Sequence, residues 1–130
     1  TLAQKYSKRI KKMVLIGANY NVSGLNNFEL FVMKTIRTIF GVLSFITYFK
    51  RQYRLFSLMT KYPNFTTQDL KNINISALVM AGQHDMIKDE HTKALAQALG
   101  ARLEIVKNAG YFWHTKKKEV LKEKAYAFFR

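Results

Sequence analysis

Residues 75–99 read Ile-Ser-Ala-Leu-Val-Met-Ala-Gly-Gln-His-Asp-Met-Ile-Lys-Asp-Glu-His-Thr-Lys-Ala-Leu-Ala-Gln-Ala-Leu, and the hydrophobic period changes partway along them. The apolar run Ala77 to Ala81 is too short for a typical helix and stops at Gly82, which predicts a buried strand. Beyond Gly82, Ile87, His91, Leu95 and Leu99 recur four apart with alanines between them, the spacing of one helix face. Asp89 and Glu90 open that segment, where a helix N-terminus favours negative charge. Gly100 then reads as a helix C-cap. Asp85 is therefore expected in the turn leaving the C-terminal end of a strand, just ahead of a helix. In open α/β sheets that edge is where ligands bind.

Working outward, Met13 to Ala18 (Met-Val-Leu-Ile-Gly-Ala) is a second short apolar run, expected as a second buried strand. Arg102 to Lys107 alternates, with Leu103 and Ile105 in one phase and Arg102 and Glu104 in the other, which predicts a third strand nearer a sheet edge. Asn108-Ala109-Gly110 reads as a turn. Lys116 to Phe129 has the pattern of a basic amphipathic helix, with Val120, Leu121, Ala125, Phe128 and Phe129 available to pack. Thr1 to Tyr6 looks like the last turns of a helix, and Asn19 to Asn27 like a loop. Short uninterrupted apolar strands alternating with helices belong to an α/β fold, about three parallel strands covered by helices on both faces.

Leu25 to Thr60 has another character. Phe28, Phe31, Val32, Ile36, Ile39, Phe40 and Leu43 fall roughly at helical spacing, and Thr38 to Phe49 carries no charge. That run is shorter than the roughly 20 residues a membrane-spanning helix needs. Its basic flanks, Lys34, Arg37, Lys50 and Arg51, suit either helices packed on the domain or an aromatic face lying at a membrane interface. Breaks are expected near Gly41 and near Tyr62-Pro63. Thr66 to Leu70 reads as a capped helical turn.

Composition narrows the function classes. The 130 residues suffice for one domain with a modest core, and 48% hydrophobic content excludes disorder. The chain has no cysteine, so disulfides and thiolate zinc sites are excluded, which fits a reducing cytoplasm. No signal peptide is legible at the start. The net charge of +14 gives a basic surface, with dense patches at Lys8 to Lys12, Lys50 to Arg54 and Lys116 to Lys118. Anionic lipid is a partner class that such a surface suits, and no nucleic-acid module is readable around the patches, so no nucleic acid is expected. His84-Asp85 and Asp89, Glu90 and His91 lack a third element at ligand spacing, so no metal or cofactor is expected.

The order of these segments resembles the C-terminal half of the α/β-hydrolase family, over essentially the whole chain. The opening Leu-Ala-Gln-Lys-Tyr-Ser-Lys-Arg-Ile-Lys-Lys-Met-Val-Leu-Ile-Gly-Ala is similar to the end of the helix after the nucleophile elbow and the strand that follows. The resemblance implies that residues 1–130 form one C-terminal α/β-hydrolase portion, with 25–60 as an inserted helical cap. It further implies that Asp85, after the strand ending Gly82-x-x-Asp85, is the triad acid. The implied substrate is a small apolar ester or similar acyl compound.

Two departures stand out. None of Ser7, Ser23, Ser44, Ser57 and Ser76 lies in Gly-x-Ser-x-Gly, the family's nucleophile motif, so the chain is expected to be inactive alone. The family histidine usually follows a glycine directly in the last loop, whereas Gly110 is followed by Tyr111 and the nearest histidine is His114. His114 is the candidate base; the alternative is a surface histidine beside Trp113. Asp85 has its own alternative, a turn residue or helix cap. His84 and His91 are expected to be structural. An absent nucleophile-bearing strand would leave the edge of Met13 to Ala18 open and favour self-association. The second functional class is a non-catalytic basic module that binds an anionic membrane surface or a protein partner.

Overall fold

The computed structural model describes Tyr6 and residues 8–130; the helix expected over Thr1 to Tyr6 lies almost wholly outside them. Three strands form the sheet: β1 (Lys12–Ile16), β2 (Ser76–His84) and β3 (Arg102–Gly110), in the order β1-β2-β3 with both pairings parallel. The fold is therefore the expected α/β sheet, with β2 at its centre. Among the described residues the outer edge of β1 carries no partner strand.

The helices are α1 (Asn27–Val42), α2 (Thr47–Lys61), α3 (Thr67–Lys71), α4 (Asp89–Leu99), α5 (Trp113–Lys116) and α6 (Lys118–Phe129), with a 3-10 turn at Val22–Gly24. Because a strand turns successive side chains to opposite faces, β2 feeds two cores. Val79 packs with Leu70, Ile75, Leu95 and Leu99 on one face. Leu78 and Met80 pack with Ala109 and Trp113 on the other. Val79 and Met80 are wholly buried, and each such side chain stabilises the fold by about 2 kcal/mol relative to exposure. This double burial is why the sequence of β2 is apolar without alternation.

The helix α4 begins at Asp89 as the acidic pair predicts, and Gly100 closes it in a left-handed conformation. The short helix α3 is set by a capping box: the Asp69 N–H donates to Thr66 Oγ1, while the Thr66 N–H and hydroxyl donate to the Asp69 carboxylate. Those bonds hold the Asp69 carboxyl below its ordinary range.

Helices α1 and α2 form an antiparallel-type hairpin inserted between β1 and β2. Phe40 meets Phe49 and Phe56 at ring-centroid distances of 5.6 and 5.7 Å and fills the space between them. The root of this hairpin is tied to the sheet. Leu25 bridges Ile87 and Asn21 bridges Asn64. The Asn26 N–H donates to Met86 O at 3.0 Å, and the Lys88 N–H donates to Gly24 O at 2.8 Å. Leu25, Met33 and Ile87 form a third buried cluster at this seam.

The expected break near Gly41 is present, at residues 43–46, with Gly41 itself inside α1 against the ring of Tyr53. Two expectations need correction. Asn108-Ala109-Gly110 is not a turn but the end of β3. The register shifts between Gly82 and His84, Asn108 adopts φ 50° and gives its N–H to Gln83 Oε1, and Gly110 stays paired with His84. A bulge of this kind lets a strand absorb residues that otherwise signal a turn. The last helix begins in two pieces, α5 and α6, because the buried Trp113 anchors its start in the core.

Candidate functional site

The C-terminal ends of the three strands converge, and each delivers one residue. Past β1 stands Gly17, at φ +53°, its N–H donating to Met80 O at 2.9 Å. Past β2 stands Asp85, whose N–H donates to Gly82 O in a tight turn. Past β3 stands Tyr111. A Cβ placed on Gly17 would lie 3.5 Å from Asp85 Oδ2 and 3.8 Å from Tyr111 Cε2, so the carboxylate and the phenol ring flank the space that glycine leaves open. A side chain at this position would be strained by the backbone conformation and would also narrow that gap.

Asp85 is only 8% exposed. Its Oδ1 accepts a long hydrogen bond of 3.4 Å from the Ile87 N–H, and its backbone carbonyl accepts from Asn26 Nδ2 at 3.3 Å. Oδ2 is buried without a hydrogen-bond partner. A buried carboxylate oxygen with no donor is costly, and such groups are exceptions that call for a functional explanation.

His114 lies on α5, its ring edge-on to Trp113 at 6.3 Å. Its Nδ1 is likewise buried without a partner. No hydrogen bond therefore joins the two sequence-predicted site residues, although each presents an unpaired atom. The residue beside Asp85 is Tyr111, whose 37% exposure leaves one side of the ring to solvent.

Two hollows adjoin this point. One, of about 450 Å³, is polar and lined by Asn26, Gln83, His84, Asp85, Lys88 and Glu90 among others. The other, of about 410 Å³, lies under the hairpin and is walled by Leu25, Met33, Met59, Met86, Tyr111 and Phe112, with Gly17 in its lining and no charged side chain. Ile87 borders both. Asp85 lines the polar hollow, where its carboxylate is equipped to orient a cationic or N–H donor, and the apolar hollow begins at Ile87. Sequence reading singled out Asp85 and noticed Tyr111. It missed Met33 and Met86, since a methionine on a helix or in a turn carries no signal of which cavity it lines.

His84 is exposed at the end of β2. His91 is structural as expected. It is buried, stacks on Tyr20 at 3.8 Å between ring centroids, and has the chain at Gly24 laid directly against its ring. Among the described residues no group of three or more His, Asp or Glu is placed to hold a metal ion.

Burial, and then the nearby Lys88 charge, lower the His91 pKa below its ordinary 6.5. A histidine whose folded pKa is depressed binds its proton more readily in the unfolded chain. Stability from this residue is therefore intact above the ordinary histidine pKa and lost as pH falls through and below it. Denaturant unfolding at neutral pH and at about pH 5 should show a larger loss of stability for the native chain than for His91→Phe, which keeps a ring on Tyr20 but cannot titrate. An equal loss in both would remove His91 as the cause.

The parallel strand order and the helical insertion after β1 are those of the α/β-hydrolase fold, and solved structures bear this out. The chain is similar to an α/β-hydrolase enzyme from a Medee basin deep-sea metagenome library, with TM-score 0.71, 17% identity and coverage of 98% of this chain and 58% of that one. It is similar to a carboxylesterase from Bacillus subtilis, with TM-score 0.66, 19% identity and coverage of 97% and 53%. It is also similar to the enol-lactonase from Burkholderia xenovorans, with TM-score 0.63, 15% identity and coverage of 98% and 59%. The chain thus spans somewhat over half the length of these structures. No family model and no curated protein matches the sequence.

Proposed function

We propose that this chain is the C-terminal, acid-bearing portion of a serine hydrolase that cleaves a carboxylic ester or similar acyl bond. The observation that carries this reading is the buried, unpartnered Oδ2 of Asp85 at the meeting of three strand ends. Similarity to a carboxylesterase and an enol-lactonase supports the acyl-bond class.

In this reading Asp85 orients an imidazole and stabilises its charge, and the imidazole takes the proton of a serine supplied from outside these 130 residues. His114 is the base. Its Nδ1–H is the donor that the unpartnered Asp85 Oδ2 lacks, and the serine proton goes to Nε2. The hairpin α1–α2 is the cap, and the uncharged hollow beneath it holds the apolar acyl or alcohol part of a small substrate. The open edge of β1 is where the nucleophile-bearing strand, or a second copy of the chain, pairs.

The 130-residue chain is expected to show no turnover of p-nitrophenyl acyl esters, because no Gly-x-Ser-x-Gly lies within it. Turnover by the purified chain that disappears in Asp85→Asn would overturn the assignment of the nucleophile to another segment.

A further inference from the structure

At the tip of the α1–α2 hairpin, exposed apolar side chains stand next to a run of cations. In and beside the turn at residues 43–46, apolar side chains stand exposed among the described residues: Val42 is 73% exposed, Phe45 81%, Ile46 44% and Tyr48 67%. The hairpin does not need them for its own packing, since Phe40, Phe49 and Phe56 already fill the space between the helices. Lys50, Arg51 and Arg54 follow within the first two turns of α2, all exposed. Between Asn27 and Lys61 the only acidic residue is Glu29, at the far end of α1 from the tip. No helix among the described residues is long and apolar enough to cross a membrane.

We infer that this tip docks on an anionic lipid surface, Phe45 and its apolar neighbours entering the headgroup boundary while Lys50, Arg51 and Arg54 pair with lipid phosphates. The charge argues for lipid over an apolar protein groove. A cluster of exposed apolar residues ringed by cations is costly in water, and both halves are satisfied at once where acyl chains lie beneath phosphates. The dense positive charge of the whole chain adds a longer-range attraction of the same sign. A short turn rather than a long helix makes this contact, which lies at the membrane surface without spanning it.

Co-sedimentation with vesicles tests this without reference to catalysis. The chain should bind vesicles of mixed phosphatidylcholine and phosphatidylglycerol, bind phosphatidylcholine alone far less, and lose binding as salt rises. Arg51→Gln and Arg54→Gln should each weaken binding about fivefold. Phe45→Ser should weaken it about tenfold, with thermal melting unchanged because the side chain is exposed. Phe45→Trp should give an emission that shifts to the blue on adding anionic vesicles, against a background of the buried Trp113. The inference is overturned if neutral and anionic vesicles bind alike, or if Phe45→Trp emission does not move. It is equally overturned if the chain sediments without vesicles and Phe45→Ser abolishes that, which would make the tip a contact between copies.

Discussion

Asp85→Asn, made in a polypeptide that joins this chain to a Gly-x-Ser-x-Gly segment, is expected to lower kcat for ester hydrolysis by about 10⁴-fold. The amide keeps the size of the carboxyl but carries no charge, so it neither stabilises an imidazolium nor selects the imidazole tautomer that the reaction needs. The fold should not suffer. The native carboxylate is 8% exposed and has an oxygen without a donor, so replacing it removes a desolvation cost. Equal or higher thermal stability together with the lost rate would separate chemistry from folding. A variant that retains its rate would show that Asp85 is only a turn residue, and the hydrolase reading would lose its central residue.

The second large effect is on the sheet itself. Gly82 sits where β2 leans on β3 at the bulge, and a Cβ there would lie 2.3 Å from the Ala109 carbonyl oxygen and 2.9 Å from that of Gly110. Those are backbone atoms, which cannot rotate away as a side chain would. Gly82→Ala must therefore push the strands apart, at a cost of about 3 kcal/mol, a large share of the stability of a domain this size. Gly110 supplies the comparison. Its Cβ would meet only His84 O, at 3.5 Å, an ordinary contact. Urea unfolding should show Gly82→Ala strongly destabilised and Gly110→Ala close to the native chain. Similar midpoints for the two would mean that the strands are not in this close register.

The core strand was legible because its burial on both faces writes itself as an apolar run, and the helix after it because His91, Leu95 and Leu99 all face inward. Asp85 was legible for a related reason: a carboxylate between a buried strand and a helix start has few places to go. What misled was local chemistry overridden by pairing. Asn108-Ala109-Gly110 has turn residues, yet the ladder to His84 and the Gln83 side chain keep the chain extended. Gly41 marked the break only to within a few residues, since α1 runs on beside Tyr53 to Val42. The relation of Asp85 to Tyr111 and Gly17 was out of reach, because it depends on three strand ends far apart in sequence. That no hydrogen bond joins His114 to Asp85 is likewise a matter of side-chain placement, which no spacing reveals.

Each rung of β1 finds its partner only after the whole hairpin has intervened, Lys12 beside Ser76 and Ile16 beside Met80. During synthesis β1 therefore waits for β2, while α1 and α2 have their contacts close at hand in the chain. The hairpin should consolidate first and the sheet should close only once Ser76–His84 has left the ribosome. Until then the edge of β1 that faces β2 stays unpaired, and a holding chaperone has most to offer in that interval.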